Sequence, residues 1–232
     1  MSGNEPMTPR KKDGFLLRAM LYVAKNGFAE TKQAFAEGQY ERPQCLQYGG
    51  GELEVGSALL LDWLKENLND VKRCVWIDLH TGLGKAGHDT LLVEIAPADP
   101  ILARLRRHYG KRITSLDAEA GIAYKIRGGL QAGVEARFPN IEWTSITQEF
   151  GTVGPYAVIA ALRSENQWTQ WGGERGREAL NHWSRDKLLT TFRLKKPKWE
   201  EKPITRGRKL CTDAVADLTT STVEAMAVEQ NR

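Results

Sequence analysis

Residues 74–84, CVWIDLHTGLG, decide the fold. Val75 to Leu79 make a short β-rich run with the apolar character of a buried strand, and the run stops at a polar, glycine-rich turn carrying Asp78, His80 and Thr81. A strand delivering polar side chains to a loop is the expected reading. Downstream, HDTLLVEI (88–95) predicts a second strand, ILARLRRHYG (101–110) a helix closed by Gly110, and WTSITQEFGT (143–152) a third strand that again ends in glycine. In GPYAVIAALRSENQW (154–168), Pro155 occupies a first-turn position, and Tyr156, Ile159 and Leu162 share one helical face. This alternation of strand and helix predicts an α/β layer structure.

Upstream of the decisive stretch, residues 15–40 read as one or two helices broken at Gly27. Pro43, Gly49, Gly50 and Gly51 make 41–52 a loop of unusual backbone freedom. SALLLDWLKENLNDV (57–71) then places Leu59, Leu60, Trp63, Leu64 and Leu68 on one face of a helix ending near Asn69, with Ser57 as its cap. Two further helical stretches are expected at about 174–191 and 205–226. The chain therefore divides into a polar leader (1–14), one domain (15–218) and a flexible tail (219–232).

The 232 residues are 41% hydrophobic and 27% charged, which excludes collagen-like, mucin-like and wholly disordered chains. No run approaches the roughly 18 apolar residues of a membrane span, and the leader lacks the apolar core of a signal peptide, so a cytoplasmic address is expected. Cys45, Cys74 and Cys211 have neither disulfide-framework nor zinc-site spacing. The net charge of +4 is local in origin. Residues 192–209 hold eight lysines and arginines against Glu200 and Glu201, and read as a solvated connector. Nucleic acid is not an expected partner, because no helix face or aromatic ladder organises those charges.

Gly82, Gly84 and Gly87 match the dinucleotide fingerprint G-x-G-x-x-G directly after a strand. That fingerprint must open a helix, whereas strand-forming residues follow here, so a nucleotide site is not expected. Asp78 and His80 lie two apart at a strand end and so share a face, where a carboxylate can fix the tautomer of an imidazole that binds metal through its other nitrogen. Glu149 ends another apolar strand and would face the same rim if the two strands are near neighbours. Such a glutamate can take a proton from water and pass it to a leaving group. A hydrogen-bonded edge histidine and an arginine-paired glutamate are the plain alternatives. His88 is an unfavoured substitute ligand, His108 and His182 are read as surface or packing residues, and Trp143, Trp168, Trp171, Trp183 and Trp199 as core.

WIDLHTGLG, preceded by GQYERPQCLQYGGG and followed by ITQEFGT, resembles the zinc carboxypeptidase superfamily, in particular a bacterial domain-of-unknown-function branch related to succinylglutamate desuccinylase and aspartoacylase. The similarity covers about residues 15–215. It implies an α/β core with a mixed central sheet flanked by helices, one catalytic zinc, and hydrolysis of amide or peptide bonds in small N-acyl amino acids or peptides. Carried over by position, His80 is a zinc ligand, Asp78 its supporting partner and Glu149 the general base and acid, while Tyr48, Gly49, Gly50 and Thr81 line the substrate pocket. The chain departs from that pattern at the upstream H-x-x-E motif: its four histidines read H-T-G-L, H-D-T-L, H-Y-G-K and H-W-S-R. The expectation is the carboxyl-terminal part of a zinc-dependent hydrolase, lacking its amino-terminal portion, with zinc binding in doubt and little or no activity as a lone chain. Two alternatives follow: a truncated product that is poorly active and aggregation-prone, or a chain that pairs with a separately encoded first half or, as a homo-oligomer, with further copies. The alternative is a non-catalytic binding protein that keeps the groove and uses Arg193 to Lys209 against an acidic partner.

Overall fold

The apolar run around Trp76 forms β1, Arg73–Gly82, in the computed structural model, which describes residues 14–27, 30, 31, 33, 37–82, 84–116, 128–172 and 181–230. The strand is longer than its propensities predict. Asp78, His80 and Thr81 lie within it rather than in the following turn, because their backbone pairs with a second strand as far as Gly82. That second strand is β4 (Glu142–Gly151), and β2 (Asp89–Val93) and β3 (Ile113–Ser115) complete a four-stranded sheet of order β1-β4-β2-β3. β1 runs parallel to β4, β2 antiparallel to β4, and β3 parallel to β2. The sheet is mixed and flanked by helices, an α/β fold.

Seven helices accompany the sheet among the described residues: α1 (Phe15–Asn26), α2 (Val55–Asn67), α3 (Pro100–Tyr109), α4 (Leu130–Arg137), α5 (Pro155–Trp171), α6 (Trp183–Phe192) and α7 (Pro197–Gln230). Local chemistry explains their ends. Asp99 Oδ1 accepts from the Ile101 amide at 2.8 Å, Pro100 fills the first turn of α3, and Gly110 closes it at φ 84°. Gly27 ends α1 as expected.

Strand alternation separates two faces. On one, Leu91, Val93, Ile113 and Ile146 pack with Leu102, Leu105 and Tyr109 of α3 and with Leu210 and Ala214 of α7, joined by Val75 and Ile77 of β1. The opposite face carries Trp76 beside Trp143, ring centroids 6.3 Å apart, and is covered by α4, where Ser145 donates to Glu135 at 2.5 Å.

Several expectations are corrected. Ser57 lies inside α2, whose N-cap is Glu54, and Leu64 is the buried residue of that helix, while Leu59 and Trp63 stand 64% and 57% exposed. An apolar stripe is buried only where another element covers it, and periodicity does not say whether one does. On α5 the buried residues are Ala161, Ser164, Gln167 and Trp168, with Tyr156 exposed, because α6 packs against the other side of the helix. β3 and α4 are additional elements, too short for a clear periodic signal. The stretch 192–209 is not a connector: from Pro197 it is the opening of α7, which continues through Gln230 into the expected tail. The leader 1–13 and residues 173–180 lie outside the described residues. No helix among those described is long and apolar enough to cross a membrane.

Candidate functional site

Ten consecutive register pairs tie β1 to β4, and the eighth joins His80 to Glu149. In a parallel pair, register partners project to the same face, so both side chains emerge at the carboxyl ends of the two strands, away from α7. His80 Nε2 lies 3.0 Å from Asp78 Oδ2, and His80 Nδ1 lies 3.8 Å from Glu149 Oε2. The imidazole is half exposed, whereas the Glu149 side chain keeps only 11% of its surface. A carboxylate therefore faces each ring nitrogen. With Nε2–H donating to Asp78, Nδ1 turns a lone pair toward Glu149, and the gap between two acceptors suits a donor such as water.

The rim around this trio is held by neighbouring side chains, among them Trp199, expected in the core, and Lys202 of the basic stretch expected in solvent. Gly82, at φ 150°, lets the next layer approach: a side-chain carbon there would stand 3.2 Å from the Phe192 ring of α6 and 3.6 Å from Glu149 Oε1. The Thr152 hydroxyl donates to the Gly82 carbonyl at 3.0 Å. The Trp199 indole N–H donates to the Gly151 carbonyl at 2.9 Å, and Lys202 Nζ donates to the Gly87 carbonyl at 2.8 Å. A side chain at Gly151 would run into the backbone of Gly84 and Lys85. The turn carrying Gly82, Gly84 and Gly87 leads into β2, so the helix that a dinucleotide fingerprint requires does not follow.

Behind the rim, Asp89 opens β2 with a fully buried side chain gripped by Arg112 and Arg206, and Gln148 Nε2 donates to it at 2.8 Å. Burial pushes its carboxyl upward, but the Gln148 and Arg206 hydrogen bonds and the charge of Arg112 outweigh that, so the pKa lies below the ordinary value. Other members of the basic stretch are engaged as well: Arg193 with Glu200, Lys195 with Asp186 and Lys209 with Asp213. Five of its eight cations thus have partners within the chain.

Not every expected pocket residue joins the trio. Alternation turns Thr81 to the face opposite His80. Tyr48 bridges Gln39 in the loop after α1, Gly49 lies against the Tyr40 ring, and Gly50 sits at φ 83° beside Glu54. Asn166 of α5 donates to the Gln44 carbonyl of the same loop at 3.2 Å. Of the remaining histidines, His182 caps α6 and stacks on Trp168 at 3.7 Å, and His108 lies 3.8 Å from buried Asp217.

The described donors do not fit a resident zinc. A catalytic zinc takes three protein ligands, whereas the trio offers one imidazole with both nitrogens turned to carboxylates. Among the described residues no group of three or more His, Cys, Asp or Glu side chains is arranged to hold a metal ion.

A family model described as "Protein of unknown function (DUF2817)" matches residues 4–206. No curated protein and no solved structure matches the chain.

Proposed function

We propose that this chain, which belongs to the DUF2817 family, carries part of a carboxypeptidase-type site that cleaves amide or peptide bonds in small N-acyl amino acids or peptides. The observation that supports the reading is the placement of His80 and Glu149 as register partners, 3.8 Å apart at the ends of two parallel strands, with Asp78 on the far ring nitrogen. Glu149 is a largely buried carboxylate at an open rim, suited to take a proton from water as its oxygen adds to the amide carbonyl. As the C–N bond breaks, the same carboxyl returns that proton to the departing nitrogen. His80 orients the water, and Asp78 holds the ring. A cytoplasmic address goes with this chemistry.

The resemblance to zinc carboxypeptidases makes His80 one ligand of a zinc whose other donors the described side chains do not supply. On this reading the lone chain turns substrate over slowly, and donors beyond the described side chains complete the site. The purely binding alternative loses ground, because most of the cations it needs already serve the fold.

The test is hydrolysis of N-acetyl amino acids and short peptides by the purified chain and its Glu149→Gln variant, followed by release of free amine. Loss of turnover on substitution supports the assignment. Turnover that survives it removes Glu149 from the chemistry.

A further inference from the structure

The two oxygens of the Glu149 carboxylate face different neighbours. Oε2 lies 3.8 Å from His80 Nδ1, whereas Oε1 lies 3.6 Å from the point where a side-chain carbon on Gly82 would stand. The Phe192 ring meets that same point, its Cε1 at 3.2 Å and its Cδ1 at 3.6 Å. Gly82 and His80 are two apart on β1, so the point lies on the His80 face of the sheet. Ring edge and carboxylate oxygen thus border one space, which exists because residue 82 has no side chain. Phe192 ends α6 and is only half-buried.

The charges at this end of the sheet narrow what can sit beside the ring. Asp78 and Glu149 are both carboxylates, and among the described residues His80 is the only ion-pair partner of Asp78. Arg193, next to Phe192, donates through Nε to Glu200 at 3.0 Å. Lys202 is held by the Gly87 carbonyl. Arg112 and Arg206 grip Asp89, whose side chain alternates to the face opposite Glu149. An acidic group beside Glu149 would meet like charge, and these four cations are already engaged.

We propose that Phe192 sets the substrate preference of the Glu149 site: the leaving amine carries an aromatic or branched aliphatic side chain that rests on the Phe192 ring, and an acidic side chain is disfavoured. The inference rests on the hydrolytic reading of Glu149. With water held between His80 and Oε2, the departing nitrogen approaches the carboxyl from the Oε1 side and brings its own side chain to the ring. Removal of apolar surface from water and aromatic contact favour that placement.

The experiment is calorimetric titration of the full chain with N-acetylphenylalanine, N-acetylalanine and N-acetylaspartate, which share the acyl and α-carboxylate groups and differ only in side chain. N-acetylphenylalanine should bind about tenfold more tightly than N-acetylalanine, and N-acetylaspartate more weakly than either. Phe192→Ala should bring the ratio of the first two close to one, and Phe192→Leu should keep part of it. A ratio within one variant is insensitive to a general loss of folded protein, and unfolding curves check that both variants remain folded. Glu149→Gln should retain the aromatic preference and lessen the penalty on N-acetylaspartate. The proposal is overturned if none of the three binds, if the preference survives Phe192→Ala, or if N-acetylaspartate binds as tightly as N-acetylphenylalanine. The two readings fail separately. Turnover indifferent to Glu149→Gln, with a Phe192-dependent preference, removes only the hydrolytic role of Glu149; turnover lost in Glu149→Gln, with the preference untouched by Phe192→Ala, removes only Phe192.

Discussion

His80 on β1 and Glu149 on β4 occupy the same rung of a parallel ladder, and the distance from imidazole Nδ1 to carboxylate Oε2 is 3.8 Å. Their spacing is set by backbone hydrogen bonds rather than by a loop. The rung lies two short of Gly82 and Gly151, where the Thr152, Trp199 and Lys202 side chains clamp the strand ends and the turn beyond them. A proton-transfer group placed this way keeps its position through loop motion.

Glu149→Gln keeps the shape of the side chain and removes its basicity. Turnover of an N-acyl amino acid should fall by about 10²- to 10⁴-fold, with the thermal unfolding midpoint unchanged. Initial rates and a melting curve on the same preparation check both halves.

Asp78→Asn leaves a polar group beside His80 Nε2 but no longer selects the ring tautomer. kcat should drop about 10- to 100-fold while KM stays close to its starting value. A rise in KM with constant kcat would assign Asp78 to substrate contact instead.

Zinc titrated into the purified chain should show no tight one-to-one site, since a single imidazole cannot replace three protein ligands. Calorimetry reads this directly. Tight stoichiometric binding lost in His80→Ala would mean that donors outside the described set complete the site.

Asp89→Ala takes the acceptor from Gln148 Nε2 and returns the partly exposed Arg112 and Arg206 to water, and should cost about 1–3 kcal/mol in denaturant unfolding. The pH dependence follows from the lowered carboxyl of Asp89. A depressed folded-state pKa contributes stability that is present above the unfolded carboxylate value and lost as pH falls through the folded one. Asp89→Asn should therefore flatten the acid limb of the stability profile, and an unchanged limb would show that other carboxylates dominate it.

The Tyr109 hydroxyl donates to Asp217 Oδ2 at 2.9 Å, joining α3 to α7 in the core. Burial, then the hydrogen bond and charge of Asp217, push the phenol pKa upward, so it stays neutral across the physiological range. Tyr109→Phe should cost about 1–3 kcal/mol, because a buried carboxylate oxygen loses its donor. Chemical denaturation measures the change, and a neutral substitution would mean that Asp217 finds another partner.

Much of this arrangement is legible in the chain. Apolar runs ending at Gly82 and Gly151 mark strands, Gly110 and Pro155 mark helix ends, and Asp78, His80 and Glu149 sit at strand tips where polar side chains have a reason to be. The fate of the basic stretch is another matter. Its charge density suggests solvent, yet Arg206 lands on Asp89, 117 positions earlier, and Lys202 on the Gly87 carbonyl. Likewise, the apolar positions of α2 do not disclose that Leu59 and Trp63 stay uncovered.

The amino-acid order by itself determined most of the elements, β3, α4 and the opening of α7 excepted, together with the chemical character of the strand tips and the two turns that need glycine, because these depend on neighbours within a few residues. Only the tertiary structure decided that β4 lies between β1 and β2, that His80 and Glu149 share a rung, and that the Phe192 ring and Glu149 border one space above Gly82. The physical reason is distance along the chain. Each of those juxtapositions joins groups dozens of residues apart, and burial and hydrogen bonding select the partner only once the whole core has closed.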